Sequence, residues 1–258
     1  MTAASSSPVS AAAAPAAAPR RALVTGASGD LGRAIALRLG RAGFHVLCHA
    51  HSRLDAAEAV AAQVRAEGGS AGALAFDVTD AEASRAALEA CVETGGPVQV
   101  IVNNAGLHDD AVFPGMSAAQ WHRVIDVSLH GFFHVTQPLT MPMIRTRWGR
   151  IISISSVAAV AGNRGQVNYA AAKGALHSAS KSLSLELASR GITVNVVAPG
   201  IIASAMADAV FDAKAVAQMV PARRAGTPEE VAALVAFLAG DEAGYISGQV
   251  ISVNGGMI

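Results

Sequence analysis

The chain has 258 residues, with 52% in the hydrophobic class and 15% charged, so it can bury a large core and is not disordered as a whole. Lys plus Arg and Asp plus Glu balance at 19 each, which excludes the global basic field that nucleic-acid or anionic-membrane binding draws on. Cys48 and Cys91 are too few for a disulfide framework and lack metal-ligand spacing, so they read as core fillers in a reduced, cytoplasmic protein.

Residues 1–20 are almost wholly Ala, Ser and Pro, and Pro8, Pro15 and Pro19 interrupt any helix the alanines would build, so this segment reads as a flexible tail. Arg20 and Arg21 follow the alanine-rich run instead of preceding it, against a secretory signal. The longest uncharged stretch, 191–207, is broken by Asn195 and Pro199–Gly200, against a membrane span. From Arg21 onward, short apolar runs alternate with helical patterns: ALVTG before LGRAIALRLGRAG, HVLCHA before LDAAEAVAAQVRAEGG, ALAFDV before AEASRAALEACVETGG, and VQVIVNNAG before a long amphipathic stretch. RIISISS, TVNVVAPG and QVISVNGG supply three further strands. This alternation predicts one α/β domain over residues 21–258, doubly wound, with a parallel sheet of about seven strands covered on both faces. Ligands of such sheets sit beyond the carboxyl ends of the strands, so the residues just past each strand are the candidates.

After the first strand, TGASGDLG (25–32) opens a helix. Its glycines permit a tight turn and close approach to a pyrophosphate, and the helix amino terminus offers free N–H groups. Its glycine spacing differs from the GxGxxG of the broader dinucleotide-binding group, and alone it would equally suit a turn capped by Asp30. After the second strand, HAHSR has no acid for ribose hydroxyls, while His51, Ser52 and Arg53 suit a 2′-phosphate and thus NADP(H). The third strand is expected to end in Asp77-Val78 and the fourth in NNAG, residues 103–106. Farther on, NYAAAK places Tyr169 and Lys173 at i and i+4 on one helix face. A lysine cation about 4 Å from the phenol, at an effective dielectric near 20, is worth about 4 kcal/mol, roughly three pK units of depression toward neutrality.

TGASGDLG, DV, NNAG, ISISS, YAAAK and APG occur in this order from Arg21 to Ile258, and with them the chain resembles the short-chain dehydrogenase/reductase family. SRGITVNVVAPG and ISVNGGM look most like its 3-oxoacyl-acyl-carrier-protein reductases, and HDDAVFPGM and MIRTRWGR are similar to reductases of aryl polyene pathways. The resemblance implies a catalytic set of Ser156, Tyr169 and Lys173, with Ser156 binding the substrate carbonyl, Tyr169 the acid in reduction, and Lys173 lowering its pKa and holding the nicotinamide ribose. It implies cofactor contacts at Gly26, Ser28, Asp30, Leu31, Gly32, His51, Ser52, Arg53, Asp77, Val78, Asn104, Ala105, Gly106, Tyr169, Lys173, Pro199, Gly200, Ile202 and Ser204. Ser128 stands where the family has an asparagine that binds a relay water, and a serine is shorter.

Arg147 and Arg190 match positions through which those reductases meet an acidic acyl carrier protein. His108, Asp109 and Asp110 lack ligand spacing, so no metal is expected. The expected protein is an NADPH-dependent reductase of carrier-bound 3-oxoacyl thioesters, homotetrameric by resemblance, without nucleic-acid or membrane partners. The alternatives are an NAD(P)-linked alcohol or steroid dehydrogenase of the same family and a non-catalytic nucleotide-binding regulator, the latter disfavoured by the intact Ser156, Tyr169 and Lys173.

Overall fold

Each apolar run pairs with its neighbours as a strand, and each helical pattern carries the chain back across the sheet. The computed structural model describes residues 18–204 and 212–258, so most of the expected tail, residues 1–17, lies outside the described residues. The first half comprises β1 (Arg21–Val24), α1 (Asp30–Arg41), β2 (His45–Ala50), α2 (Leu54–Ala66), β3 (Ser70–Ala75), α3 (Ala81–Gly95) and β4 (Val98–Asn103). The long amphipathic stretch then resolves into α4 (Ala118–Ile125), one π-helical turn (Asp126–His130) and α5 (Gly131–Thr146). The second half contains β5 (Gly149–Ile154), a short α6 (Ala158–Ala161), α7 (Val167–Leu187), β6 (Ile192–Pro199), α8 (Ala213–Met219), α9 (Pro228–Ala239) and β7 (Val250–Val253).

Among the described residues, the strands form one parallel sheet in the order β3-β2-β1-β4-β5-β6-β7. The order reverses between β1 and β4, the crevice where open sheets of this kind take ligands. Because strand side chains alternate, Ala22 and Val24 join the core beneath α1 and α9, whereas Leu23 joins the core beneath α3 and α5. The third strand ends at Ala75 opposite Ala50, short of the expected Asp77-Val78, which leaves both residues in the turn beyond it. Asp77 there accepts hydrogen bonds from the Thr79 backbone (2.9 Å) and hydroxyl (2.8 Å), an arrangement a strand would not permit.

The amino-terminal edge of the sheet is closed by Trp148, whose ring lies between the guanidinium groups of Arg20 (3.8 Å) and Arg150 (4.2 Å). Arg20 also pairs with Asp241 at 2.8 Å, so the last residue assigned to the tail is anchored to the domain. Cys48 and Cys91 are both buried and unpaired with each other, and burial pushes the Cys48 thiol up to about 12. No helix among the described residues is long and apolar enough to cross a membrane.

Leu139 is fully buried on α5 in the second core. Leu139→Ala should therefore cost about 2–5 kcal/mol of stability, read from the shift of a urea unfolding curve; a change below half of that range would show that the helix repacks around the gap.

Candidate active site

The turn after β1 is set by close backbone contacts. Gly26 has a φ of +63°, and a β-carbon on Gly32 would run into the Gly26 carbonyl oxygen and lie 2.8 Å from the Asn104 amide. Asn104 Nδ2 donates to the carbonyls of Thr25 (2.8 Å) and Gly26 (3.2 Å), while Thr25 Oγ1 accepts from the amides of Asn104 (3.0 Å) and Ala105 (2.9 Å). The ends of β1 and β4 are thus tied across the switch point. No side chain caps the amino terminus of α1, so the N–H groups of Asp30 and Leu31 remain available to an anion at the mouth of the turn. This cradle, which a β-carbon would fill, fits a dinucleotide pyrophosphate.

Beyond β2, Ser28, Ala50, His51, Ser52, Arg53 and Ala56 line an open recess. Arg53 donates to neighbouring Asp55 at 3.1 Å, and both side chains are mostly exposed, so a competing phosphate could displace this contact at little cost. His51 lies 3.4 Å from Asp77. Burial alone would raise the Asp77 carboxyl, but the hydrogen bonds from Thr79 and the approach of His51 hold it below the usual range. Val78 is buried, and its carbonyl accepts from His134 Nδ1 at 2.8 Å.

The expected catalytic residues converge beyond β5. Ser156 lies two residues past the strand, and its Oγ accepts from the Ala158 amide at 3.1 Å. Tyr169, in the first turn of α7, has its phenol beside Ser156, which lowers the pKa of that phenol. One turn on, Lys173 is buried and donates from Nζ to the Ile154 carbonyl at 2.9 Å. Gly106 admits it: a β-carbon there would lie 2.9 Å from Nζ and 3.6 Å from Ser128 Oγ. Ser128 sits in the π-helical turn, buried, its hydroxyl without a hydrogen-bond partner among the described residues.

The expected lysine-driven depression of the tyrosine is not what this arrangement produces. Lys173 Nζ is 5.9 Å from the Tyr169 ring centroid and is directed at Ile154. Burial pushes the Tyr169 phenol up to about 12, against a lowering from Ser156 and with a further rise from Asp110. Burial also brings Lys173 down to about 8. Desolvation therefore outweighs the attraction assumed for an exposed pair.

Pro199 closes β6, its carbonyl accepting from the Val157 amide at 2.7 Å, and Gly200 packs where a β-carbon would lie 2.8 Å from that of Asn254. Ile202 bridges to Gly226, and Ser204 is the last described residue before 205–211. Ser28, Asp30, Leu31, Ala105 and Gly106 join the same carboxyl edge. Arg147 and Arg190 do not. Arg147 ends α5 in the left-handed region (φ 51°) and donates to the Ser189 carbonyl at 3.4 Å, so both arginines sit at the amino ends of β5 and β6.

Several contributors were not legible in the motifs. His108 stacks on Tyr169 with ring centroids 4.5 Å apart. The loop that carries it is fixed by Asn168 Nδ2 to the Asp109 carbonyl (2.9 Å), by Gln120 and Arg123 to the Asp109 carboxylate, and by Gln166 to Asp110 (2.9 Å). Asp109 and Asp110 are thus committed to loop structure, and no cluster of potential metal ligands occurs among the described residues. One turn beyond Lys173 on α7, His177 Nε2 meets Ser155 Oγ at 2.7 Å, and that hydroxyl reaches the Lys173 carbonyl at 3.1 Å. Ser155 therefore braces the turn that carries Ser156; it lies past the strand to which the motif assigned it.

A short chain dehydrogenase family model matches residues 20–215. The chain is 48% identical, over 91% of its length and 98% of the relative's, to "3-oxoacyl-[acyl-carrier-protein] reductase FabG" of Aggregatibacter actinomycetemcomitans. It is 44% identical, over 92% of its length and 98% of the relative's, to the protein of the same name from Staphylococcus aureus. To "Nodulation protein G" of a Rhizobium species it is 45% identical over 92% of its length and 96% of the relative's.

Lys173 titrates lower in the fold than in the unfolded chain, so below about pH 8 the fold carries a burial penalty that fades as pH rises toward 10.5. Lys173→Met removes that penalty. At neutral pH the variant should resist denaturant better, by up to about 3 kcal/mol, and its advantage should shrink above pH 8. A variant of unchanged or lower stability at neutral pH would contradict this.

Proposed function

The chain belongs to the short-chain dehydrogenase family, and we propose that it is an NADPH-dependent 3-oxoacyl-acyl-carrier-protein reductase that converts the β-carbonyl of a carrier-bound 3-oxoacyl thioester to the 3-hydroxyacyl product. The observation that carries this reading is the placement of Tyr169 beside Ser156 and one helical turn before the buried Lys173, at the sheet edge that also bears the glycine cradle. Its substrate class draws on the relatives named for 3-oxoacyl-[acyl-carrier-protein] reduction over nine-tenths of this chain.

NADPH, when bound, supplies the hydride to the carbonyl carbon. Ser156 and Tyr169 hold the carbonyl oxygen, and Tyr169 gives it a proton. A phenol raised to about 12 stays protonated across the physiological range, which suits an acid that acts on a nascent alkoxide. Lys173 holds the ribose of the nicotinamide and supplies positive charge when the phenolate forms. Ser128, whose hydroxyl borders Gly106 as Lys173 Nζ does, relays the replacement proton through water.

On the cofactor side, Gly26, Ser28, Asp30, Leu31 and Gly32 take the pyrophosphate, and His51, Ser52 and Arg53 take the 2′-phosphate. Asp77 and Val78 face the adenine, while Asn104, Ala105, Gly106, Pro199, Gly200, Ile202 and Ser204 flank the nicotinamide half. The protein acts in the cytoplasm as a homotetramer in fatty-acid or aryl polyene synthesis. Its acyl carrier docks at Arg147 and Arg190. Since strands of six to eight residues separate these arginines from the carboxyl edge, roughly 20 Å or more, the arginines of one copy serve the site of another or the carrier's arm spans the sheet.

Two measurements test this. Tyr169→Phe should lower single-turnover NADPH oxidation on a 3-oxoacyl thioester by about a hundredfold to ten thousandfold while leaving NADPH binding in place; a wild-type rate in the folded variant would remove Tyr169 from the chemistry. Changing Arg147 and Arg190 together to Glu should weaken turnover of the carrier-bound substrate and spare a small thioester mimic, because the repulsion acts on the partner. An equal loss on both substrates would count against docking there.

A further inference from the structure

His49 is the last but one residue of β2 and is 1% exposed, yet it is not among the residues the motifs single out. Its Nδ1 accepts the Gly26 amide at 3.3 Å, at the long end of hydrogen-bond range, and its Nε2 meets the Phe76 carbonyl at 2.8 Å. A carbonyl can only accept, so Nε2 carries the proton and Nδ1 is the acceptor: the ring is a neutral imidazole of one tautomer. The Phe76 ring lies 4.1 Å from it, tilted by 47°, and the His49 backbone carbonyl accepts from the Ala27 amide at 2.8 Å. One residue thus reaches the glycine turn twice and the end of β3 once.

We infer that His49 is a positioning residue for the dinucleotide, holding Gly26 in its left-handed conformation so that the amino end of α1 is already aimed at the pyrophosphate before the cofactor arrives. The inference rests on the cofactor reading proposed above. Burial holds the ring neutral, pushing it down to about 4; His51 lowers it further, and the Phe76 bond and Asp77 work the other way. A neutral ring is what the geometry needs, since an imidazolium would set a second donor against the Gly26 amide. A Gly26 amide deprived of its acceptor is a half-buried donor without a partner, and a loosened turn has to be ordered at the cost of binding.

His49→Phe keeps a planar ring against Phe76 and removes both side-chain hydrogen bonds. His49→Asn restores an acceptor near the Nδ1 position while giving up the ring. Fluorescence titration with NADPH should show a dissociation constant raised about tenfold or more in His49→Phe and partly recovered in His49→Asn, with the loss falling on Kd and on KM for NADPH more than on kcat. In the wild type, histidine-selective nitrogen NMR should show His49 as the Nε2–H tautomer with no titration between pH 6 and 8, which tests the assignment even where a variant fails to fold. A dissociation constant for His49→Phe within twofold of wild type, an Asn variant no better than Phe, or an Nδ1–H or charged ring in the wild type would overturn the role. Wild-type protein that binds neither NADPH nor NADH would overturn the cofactor reading along with it.

Discussion

One side-chain amide joins the two halves of this sheet where ligands enter. Asn104 Nδ2, at the end of β4, donates to two successive carbonyls of the turn that leaves β1, and Thr25 Oγ1 returns the favour by accepting two amides from the β4 side. A parallel sheet has no hairpin to fix the spacing of strands that diverge in sequence, and here β1 ends at Val24 while β4 begins only at Val98. The glycine turn on one side, and the Ala105–Gly106 segment that makes room for Lys173 on the other, both take their positions from this junction.

Much of this was legible in the sequence, because the two periodicities involved are strong. Apolar runs such as VQVIV demand burial on both faces, and glycines at 26 and 32 leave few backbones to choose from. Tyr169 and Lys173 were found for the same reason, since a helix fixes the distance between i and i+4. What the sequence could not convey was depth. The expected effect of Lys173 on Tyr169 assumed a partly hydrated pair, whereas the lysine is sealed beneath Gly106 and turned toward Ile154, and burial sets the direction of both shifts.

His49, His108 and His177 make contacts that follow no motif, on other grounds. Each belongs to a contact between segments far apart in the chain, to Gly26, Tyr169 and Ser155 respectively, and a histidine in a strand or loop carries no periodic signal. The end of β3 was misplaced because Phe76 and Val78 continue the apolar pattern of the strand while Asp77 and Thr79 already form a turn. Which edge of the sheet Arg147 and Arg190 occupy follows only once β5 and β6 are placed, because position in sequence carries no such information.

The π-helical turn at Asp126–His130 has a consequence for how this chain can tolerate insertions and deletions. An α-helix advances by about 100° per residue, and the wider π turn by less, so the π turn takes up one residue that a regular helix would convert into a rotation of everything after it. Val135, Leu139 and Met143 thereby face the core with that residue in place, and Gly131 meets Val78 where a β-carbon would lie 3.0 Å away. Loss of one residue between 126 and 130 would let the segment run on as a regular helix with those three side chains still turned inward, whereas the same length of chain wound as a regular helix would swing them out. A one-residue gap opened here in an alignment would therefore mark a missing π turn above an unchanged packing of α5.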